Sequence, residues 1–249
     1  MINAEGTLFR LIEITGRTRL VERLLRSELV WRASGATYLT SVIATTGSYG
    51  SPESYIGSMS ARMTRLRPWF SQNDVVLEFG SGIGGNLLAV SPWVSRGFGI
   101  DINPWFTSQA ERLRRRFGVE NVSFHCYDGR HLPAFGRLDL VFAFGPFERI
   151  PKASARSYLT QLARALVDGG HLISHFLTDR DQQAQFARLL GPDAYTWWDT
   201  VELTALLGTL GLVEVSRSRD FPSSGVTLVL EKRRQLPEGN AAAPGNTKT

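Results

Sequence analysis

A glycine-rich turn within VVLEFGSGIGGNLLAV, residues 75–90, is the stretch of the sequence most suited to chemistry. Apolar residues lead into Glu78, and glycine then occupies positions 80, 82, 84 and 85. A strand that runs into a glycine turn and then a helix leaves backbone N–H groups for a polar or anionic ligand. Glycine is needed because a Cβ would block both the positive-φ turn and the approach of the ligand. The stretch therefore predicts a ligand-binding turn.

Two classes of ligand fit this turn. Residues 80–85 satisfy G-x-G-x-x-G, the pattern of a turn that binds the pyrophosphate of a nicotinamide or flavin dinucleotide. Glu78 favours the other class, because its carboxylate would repel a pyrophosphate and suit the ammonium group of S-adenosylmethionine. Asp101 fits both, since a carboxylate at the end of the second strand accepts hydrogen bonds from a ribose diol in either ligand. Asp128 ends the third strand and could accept from the exocyclic amine of an adenine.

Strands and helices must alternate to bring these carboxylates to one edge of a sheet. Short apolar runs predict five strands, at 75–79, 97–101, 122–128, 138–144 and 171–177. Apolar residues at helical spacing occupy several of the intervals, and Gly169-Gly170 is predicted to end the helix before the fifth strand. Residues 212–219 and 225–233 could pair as a final hairpin-like couple. The alternation predicts an α/β fold with a doubly wound, parallel sheet.

Three regions are expected along the chain. Residues 1–72 lack strand alternation and are predicted to form a helical cap, with Tyr49 and Tyr55 in a loop of that cap. Residues 73–235 form the predicted core. Residues 236–249 are polar and rich in proline and glycine, and we expect them to be disordered.

Composition narrows the class of protein. No apolar run in the 249 residues approaches the roughly 20 needed to cross a membrane, and the first residues lack the pattern of a secretory signal. Cys126 is the only cysteine, which excludes an internal disulfide and a cysteine-built metal site. The net charge of +5 is spread along the chain, so it does not favour nucleic acid as a partner. We expect a cytoplasmic protein that binds a small molecule and no metal.

Residues 72–232 resemble a class I S-adenosylmethionine-dependent methyltransferase of the small-molecule type. The segments that carry the resemblance are, in chain order, VLEFGSGIGGN, GIDINPWF, YDGRHLP, LDLVFAFGPFERIP and LVDGGHLISHF. The resemblance implies a mostly parallel, seven-stranded, Rossmann-like sheet whose last strand is antiparallel. It also implies S-adenosylmethionine as the cofactor and transfer of a methyl group to an O or N atom of a small-molecule acceptor.

The resemblance assigns roles to individual residues. The residues of the first segment that would line the methionine part of the cofactor are Glu78, Phe79, Gly80, Gly82 and Gly84. Asp101 would bind the ribose hydroxyls, and Ile102 would pack on the adenine. Asp128 would accept from the adenine amine, with Gly129 leaving space beside it. Phe144, at the end of the fourth strand, would lie near the methyl group.

Two positions depart from the pattern of the family. Gly85 stands where many relatives have an arginine or another large residue, which leaves the partner of the cofactor carboxylate undefined. Glu148-Arg149 replaces the stretch in which such enzymes often carry a histidine before Ile-Pro. Glu148, His131 and His175 are candidate bases, because each lies at or beyond a strand end on the cofactor side.

The acceptor pocket is predicted between the N-terminal helices and the insertion after the fifth strand. The candidate contacts are Tyr49, Tyr55, Arg149 and Trp197. Aromatic side chains suit a planar or sugar-bearing molecule, and Arg149 could steer an anionic acceptor. Three other functions stay open: methylation of RNA or protein, hydride transfer with a dinucleotide, and a non-catalytic binding module of the same fold. The sequence does not indicate an oligomeric state.

Overall fold

The computed structural model describes residues 51–181, 183–184, 195–219 and 225–233. Tyr49, most of the predicted cap and the predicted tail lie outside the described residues. Within this part of the chain, no helix combines the length and apolar character needed to span a bilayer. The same residues contain no cluster of three or more His, Cys, Asp or Glu side chains that could hold a metal ion.

Seven strands form one sheet. They are β1 Val75–Phe79, β2 Arg96–Asp101, β3 Val122–Cys126, β4 Leu138–Ala143, β5 Leu166–Leu177, β6 Leu212–Ser218 and β7 Gly225–Lys232. Their order is β3-β2-β1-β4-β5-β7-β6. The first five are parallel to one another, and β7 is antiparallel to both β5 and β6. The predicted mostly parallel, seven-stranded sheet with an antiparallel last strand is confirmed.

Helices pack on both faces of the sheet. They are α1 Pro52–Met63, α2 Gly85–Val90, α3 Pro104–Arg116, α4 Pro146–Arg149, α5 Lys152–Ala165 and α6 Thr200–Thr209, and a 3-10 helix, Thr64–Trp69, continues α1. Asn103 and Asp199 begin α3 and α6 by accepting hydrogen bonds from backbone N–H groups of the first turn. Successive side chains of β1 point to opposite faces of the sheet. Val76 and Leu77 accordingly pack in two different apolar clusters.

Two sequence-based expectations are wrong in detail. Helix α5 ends at Ala165 and β5 begins at Leu166, so Gly169-Gly170 lies inside the strand. A Cβ on Gly170 would lie 2.9 Å from the carbonyl oxygen of Asp139, so glycine lets β5 run close to β4. Tyr55 lies in α1 rather than in a loop, because Ser51 caps a helix that starts at Pro52.

Candidate functional site

The glycine turn joins β1 to α2 at the carboxyl ends of the parallel strands. Gly80, Gly82 and Gly84 have positive φ angles of 72°, 53° and 82°. A Cβ on Gly84 would lie 2.6 Å from Cε1 of Phe124, so core packing requires that glycine. A Cβ on Gly82 would meet no described atom within 4 Å. Gly82 therefore borders the open side of the turn, where a ligand has room.

Glu78 lies behind the turn and is 2% exposed. Its Oε1 accepts from Nδ2 of Asn86 at 2.9 Å, and its Oε2 accepts from the backbone N–H of Leu87 at 3.1 Å. Burial raises the pKa of Glu78 to about 8, and these two hydrogen bonds act in the opposite direction. Glu78 thus ties α2 to β1. The predicted repulsion of a pyrophosphate is weakened, because a raised pKa lowers the charge on the group near neutral pH.

Asp101 holds the same turn from the neighbouring strand. Its Oδ2 accepts from the backbone N–H of Gly82 at 2.9 Å, and its Oδ1 accepts from that of Asn103 at 2.9 Å. Burial raises the pKa of Asp101 to about 6, against the lowering effect of these hydrogen bonds. Each carboxylate oxygen can accept more than one hydrogen bond, so Asp101 can also receive the hydroxyls of a ligand.

Asp128 closes a turn after β3. Its Oδ1 accepts from the backbone N–H groups of His131 at 3.0 Å and Arg130 at 2.8 Å, and these bonds lower its pKa. The carbonyl of the adjacent Gly129 accepts from the hydroxyl of Tyr158. The His131 side chain is 84% exposed, with Nδ1 3.6 Å from Oδ2 of Asp128. Among the described contacts, none joins His131 to Glu148, the other predicted catalytic residue.

Three residues predicted to line the cofactor contribute mainly to the core or its edge. Phe79 is 2% exposed and stacks on Phe147, with 5.4 Å between the ring centroids. Ile102 is half-buried against the same apolar cluster. Phe144 is half-buried directly after β4, with its ring centroid 6.3 Å from that of Phe142. Of the three, Phe144 directly follows β4, the strand end at which the resemblance implied a place near the methyl group of the cofactor.

The predicted acceptor residues Trp197 and Arg149 differ in exposure. Trp197 is 8% exposed and forms an isolated bridge with Leu177 at the end of β5. The guanidinium of Arg149 lies 4.4 Å from the ring centroid of Tyr195. Arg149 is exposed, whereas Tyr195 is half-buried and Trp197 is buried.

A histidine and a carboxylate meet at the ends of β4 and β5. Nδ1 of His175 lies 2.8 Å from Oε1 of Glu148. The His175 side chain is 1% exposed and that of Glu148 is 16% exposed. Nε2 of His175 is buried and has no hydrogen-bond partner among the described atoms. Sequence patterns do not show this pair, because the two residues are 27 positions apart.

Tyr55 of α1 fills the space that a side chain at position 85 would take. A Cβ built on Gly85 would collide with the Tyr55 hydroxyl and lie 2.8 Å from Cγ of Met59. An ion pair between Glu53 and Arg116, 2.8 Å long, joins α1 to α3. The Tyr55 side chain therefore occupies the space that the larger residue expected at position 85 would take.

Two further polar atoms of the turn are buried without a hydrogen-bond partner among the described atoms. They are Oγ of Ser81 and Oδ1 of Asn86. An unpaired buried polar group costs about 1–3 kcal/mol, so a ligand that pairs with it gains that much. Sequence patterns did not single out either residue, although both lie inside the glycine segment. With the open side of Gly82 and the carboxylate of Asp101, these atoms fit the hydroxyl and amino-acid groups of S-adenosylmethionine.

Comparisons with known proteins concern this same region. Residues 76–170 match a family model described as a methyltransferase domain. Over 107 residues the chain is 29% identical to a Pseudomonas putida protein described as "Probable fatty acid methyltransferase". The aligned segment covers 42% of this chain and 27% of that protein. The chain thus spans about a quarter of the length of this curated relative.

Solved structures of methyltransferases share the fold. The magnesium protoporphyrin IX methyltransferase of Synechocystis PCC 6803, solved with bound S-adenosylhomocysteine, aligns with a TM-score of 0.55 at 17% identity, over 72% of this chain and 81% of that one. An S-adenosylmethionine-dependent methyltransferase of Clostridium acetobutylicum aligns with a TM-score of 0.57 at 12% identity, over 72% and 92%. Residues 76–170 are thus similar to a methyltransferase domain, and the sheet with its helices has the fold of S-adenosylmethionine-dependent methyltransferases.

Proposed function

We propose that this protein transfers a methyl group from S-adenosylmethionine to an O or N atom of a small molecule. The observation that carries the proposal is the set of ligand-ready groups at the glycine turn: the open side of Gly82, the Asp101 carboxylate, and the unpaired atoms of Ser81 and Asn86. The fatty acids named for the Pseudomonas putida relative support a small-molecule acceptor over RNA or protein.

Different residues of the glycine turn and the strand ends contact different parts of the cofactor. Asp101 accepts the ribose hydroxyls, and Asp128 accepts the adenine amine. Ser81, Asn86 and the Tyr55 hydroxyl serve the amino-acid end. When bound, the cofactor supplies a methyl group that is activated by its sulfonium. The protein has to align the acceptor and exclude water, which fits a site built on strand ends.

Glu148 takes the proton of a hydroxyl acceptor in this proposal, and His175 holds Glu148 in place. The Nδ1–H of His175 donates to Oε1, which leaves Oε2 to receive the proton. His175 then needs no proton on Nε2, which has no acceptor among the described atoms. The proton would move from the acceptor oxygen to Oε2 of Glu148 as that oxygen takes the methyl group, whose bond to the sulfonium sulfur breaks and leaves the neutral thioether. His131, exposed after β3, has no such support.

Binding of S-adenosylhomocysteine should weaken at acidic pH. Ionised Asp101 accepts the ribose hydroxyls better than the protonated acid does, and burial raises its pKa to about 6. Affinity is therefore full above this pKa and falls as the pH drops below it, by about tenfold at pH 5. Calorimetric titrations from pH 5 to 8 measure this. Asp101→Asn should bind weakly with no such decline below pH 6, and an equal decline in that variant would contradict the assignment.

Loss of the Tyr55 hydroxyl should weaken cofactor binding. We expect Tyr55→Phe to lower the affinity for S-adenosylhomocysteine about fivefold, because one hydrogen bond to a charged group is removed. Tyr55→Ala should lower it further, since the space over Gly85 is then also emptied. Isothermal calorimetry gives both values, and thermal melting checks that each variant folds. Wild-type affinity in both folded variants would remove Tyr55 from the site.

The experiment that tests the proposed function uses S-adenosylmethionine labelled in its methyl group. The full chain is incubated with pools of phenols, carboxylic acids and amines, and in parallel with total RNA and with a protein extract. We expect label in at least one low-molecular-weight product. Label found in RNA or protein alone would contradict the small-molecule acceptor. An Asp101→Ala variant serves as the inactive control.

A further inference from the structure

A cavity of about 420 Å³ lies between α1 with its 3-10 continuation and the β6–β7 edge of the sheet. We call it the β6–β7 slot. Its helical wall includes Met63, Leu66 and Trp69, and its floor includes Phe144 and Val229. The volume lies in the range of small-molecule pockets. None of these residues except Phe144 belongs to the cofactor site described above.

The walls of the slot suit an apolar body. Met63 is fully buried and Val229 is 3% exposed, whereas Leu66 and Trp69 are half-buried at its side. Leu66 and Trp69 are three positions apart, so they share one side of the 3-10 helix. An apolar ligand buried here would lose unfavourable hydration in proportion to the apolar area that the slot covers.

The charged groups at the slot are of one sign. Arg62 and Arg65 line it, and among the described lining residues none is acidic. Arg65 forms no ion pair with any described residue. Hydroxyl groups of Ser216 and Thr227 stand on the floor opposite. A guanidinium binds a carboxylate in a bidentate fashion, so this set selects an anionic group over a cationic one.

One end of the slot lies beside the proposed proton acceptor. Thr227 pairs with His175 across β5 and β7, and paired residues of neighbouring strands present their side chains on the same face. His175 in turn contacts Glu148. Phe144, directly after β4, lines the same end. Phe144 and Thr227 are therefore the lining residues that lie next to the Glu148–His175 pair in the sheet, and Arg62 and Arg65 line the slot from the helical side.

We propose that the β6–β7 slot binds the methyl acceptor and that this acceptor is an apolar small molecule with a carboxylate. The inference rests on the proposed function and names the substrate class for the same enzyme. The apolar body packs between the 3-10 helix and β7. The carboxylate lies at Arg62 and Arg65, and the methyl-accepting end lies towards Glu148.

The test uses three probes of equal chain length: decanoate, 1-decanol and decylamine. Each is titrated by calorimetry into the full chain, with and without saturating S-adenosylhomocysteine. We expect decanoate to bind at least tenfold more tightly than decylamine. Arg65→Gln should weaken decanoate binding about tenfold, because a charge-assisted hydrogen bond is lost. Arg112→Gln is the matched control, since this exposed arginine lies on α3 at the opposite edge of the sheet.

Two variants fill the slot. Val229→Phe adds a larger side chain on the floor of the slot. Ser216→Leu does the same from β6, an edge strand where a substitution disturbs the core less. Both should abolish decanoate binding while S-adenosylhomocysteine still binds. Equal affinity for the three probes, no effect of Arg65→Gln, or no decanoate binding in a chain that binds S-adenosylhomocysteine would overturn the inference. Failure to bind S-adenosylhomocysteine would instead count against the proposed function.

Discussion

Asp101→Ala is expected to weaken the binding of S-adenosylhomocysteine at least 100-fold. The side chain has two tasks, because it accepts from the N–H of Gly82 and is placed to accept the ribose hydroxyls. A hydrogen bond to a charged group contributes about 1.5–3 kcal/mol, so losing two of them accounts for such a decrease. The loss of the bond to Gly82 also lets the glycine turn relax away from the ligand.

Isothermal calorimetry measures the Asp101→Ala effect, and thermal melting shows whether the variant is folded. Asp168→Ala is the matched control, because this exposed carboxylate lies near the start of β5, at the far end of the sheet. It removes the same charge and should leave the affinity within twofold. A loss below fivefold in folded Asp101→Ala would show that Asp101 does not bind the ribose.

Glu148→Gln is expected to lower kcat by about 10²–10⁴-fold with a hydroxyl acceptor, the range found for a general base. The amide keeps the shape of the side chain and can still accept from Nδ1 of His175, but it cannot take up a proton. The affinity for S-adenosylhomocysteine should not change. A fall in affinity with unchanged kcat would place Glu148 in cofactor binding instead.

Variants of His175 separate a positioning role from a merely structural one. His175→Asn retains a donor near the place of Nδ1, whereas His175→Leu removes it. We expect the asparagine variant to keep much of the wild-type kcat and the leucine variant to lose about as much as Glu148→Gln, with KM nearly constant in both. The chain has four histidines, so NMR of labelled histidine can also show whether His175 carries its proton on Nδ1. A proton on Nε2 would contradict the proposed pair.

Local patterns were sufficient for the sheet and the glycine turn. Strands such as β1 are continuous apolar runs because both faces are buried, and that makes them readable without a structure. Asp101 was found for a similar reason, since it ends a recognisable strand. Gly169-Gly170 misled because glycine usually ends a helix, whereas here Gly170 allows two strands to approach closely.

Contacts between distant parts of the chain could not be read in the same way. Nothing next to Gly85 in the sequence points to Tyr55, and the empty position has meaning only when α1 is packed over it. Glu148 and His175 come from different strand ends, so their pairing depends on the β4–β5 register. The β6–β7 slot combines a helix before the core with the last two strands. These features depend on tertiary contacts, and no single residue in them has a sequence pattern that indicates its role.

Separate titrations with three cofactors distinguish the two classes of ligand that fit the glycine turn. The full chain is titrated by calorimetry with S-adenosylhomocysteine, NADH and FAD under one set of conditions. We expect binding of S-adenosylhomocysteine that depends on Asp101 and no measurable binding of either dinucleotide. Binding of NADH or FAD in place of S-adenosylhomocysteine would contradict it and would return the glycine turn to its alternative interpretation as a pyrophosphate site.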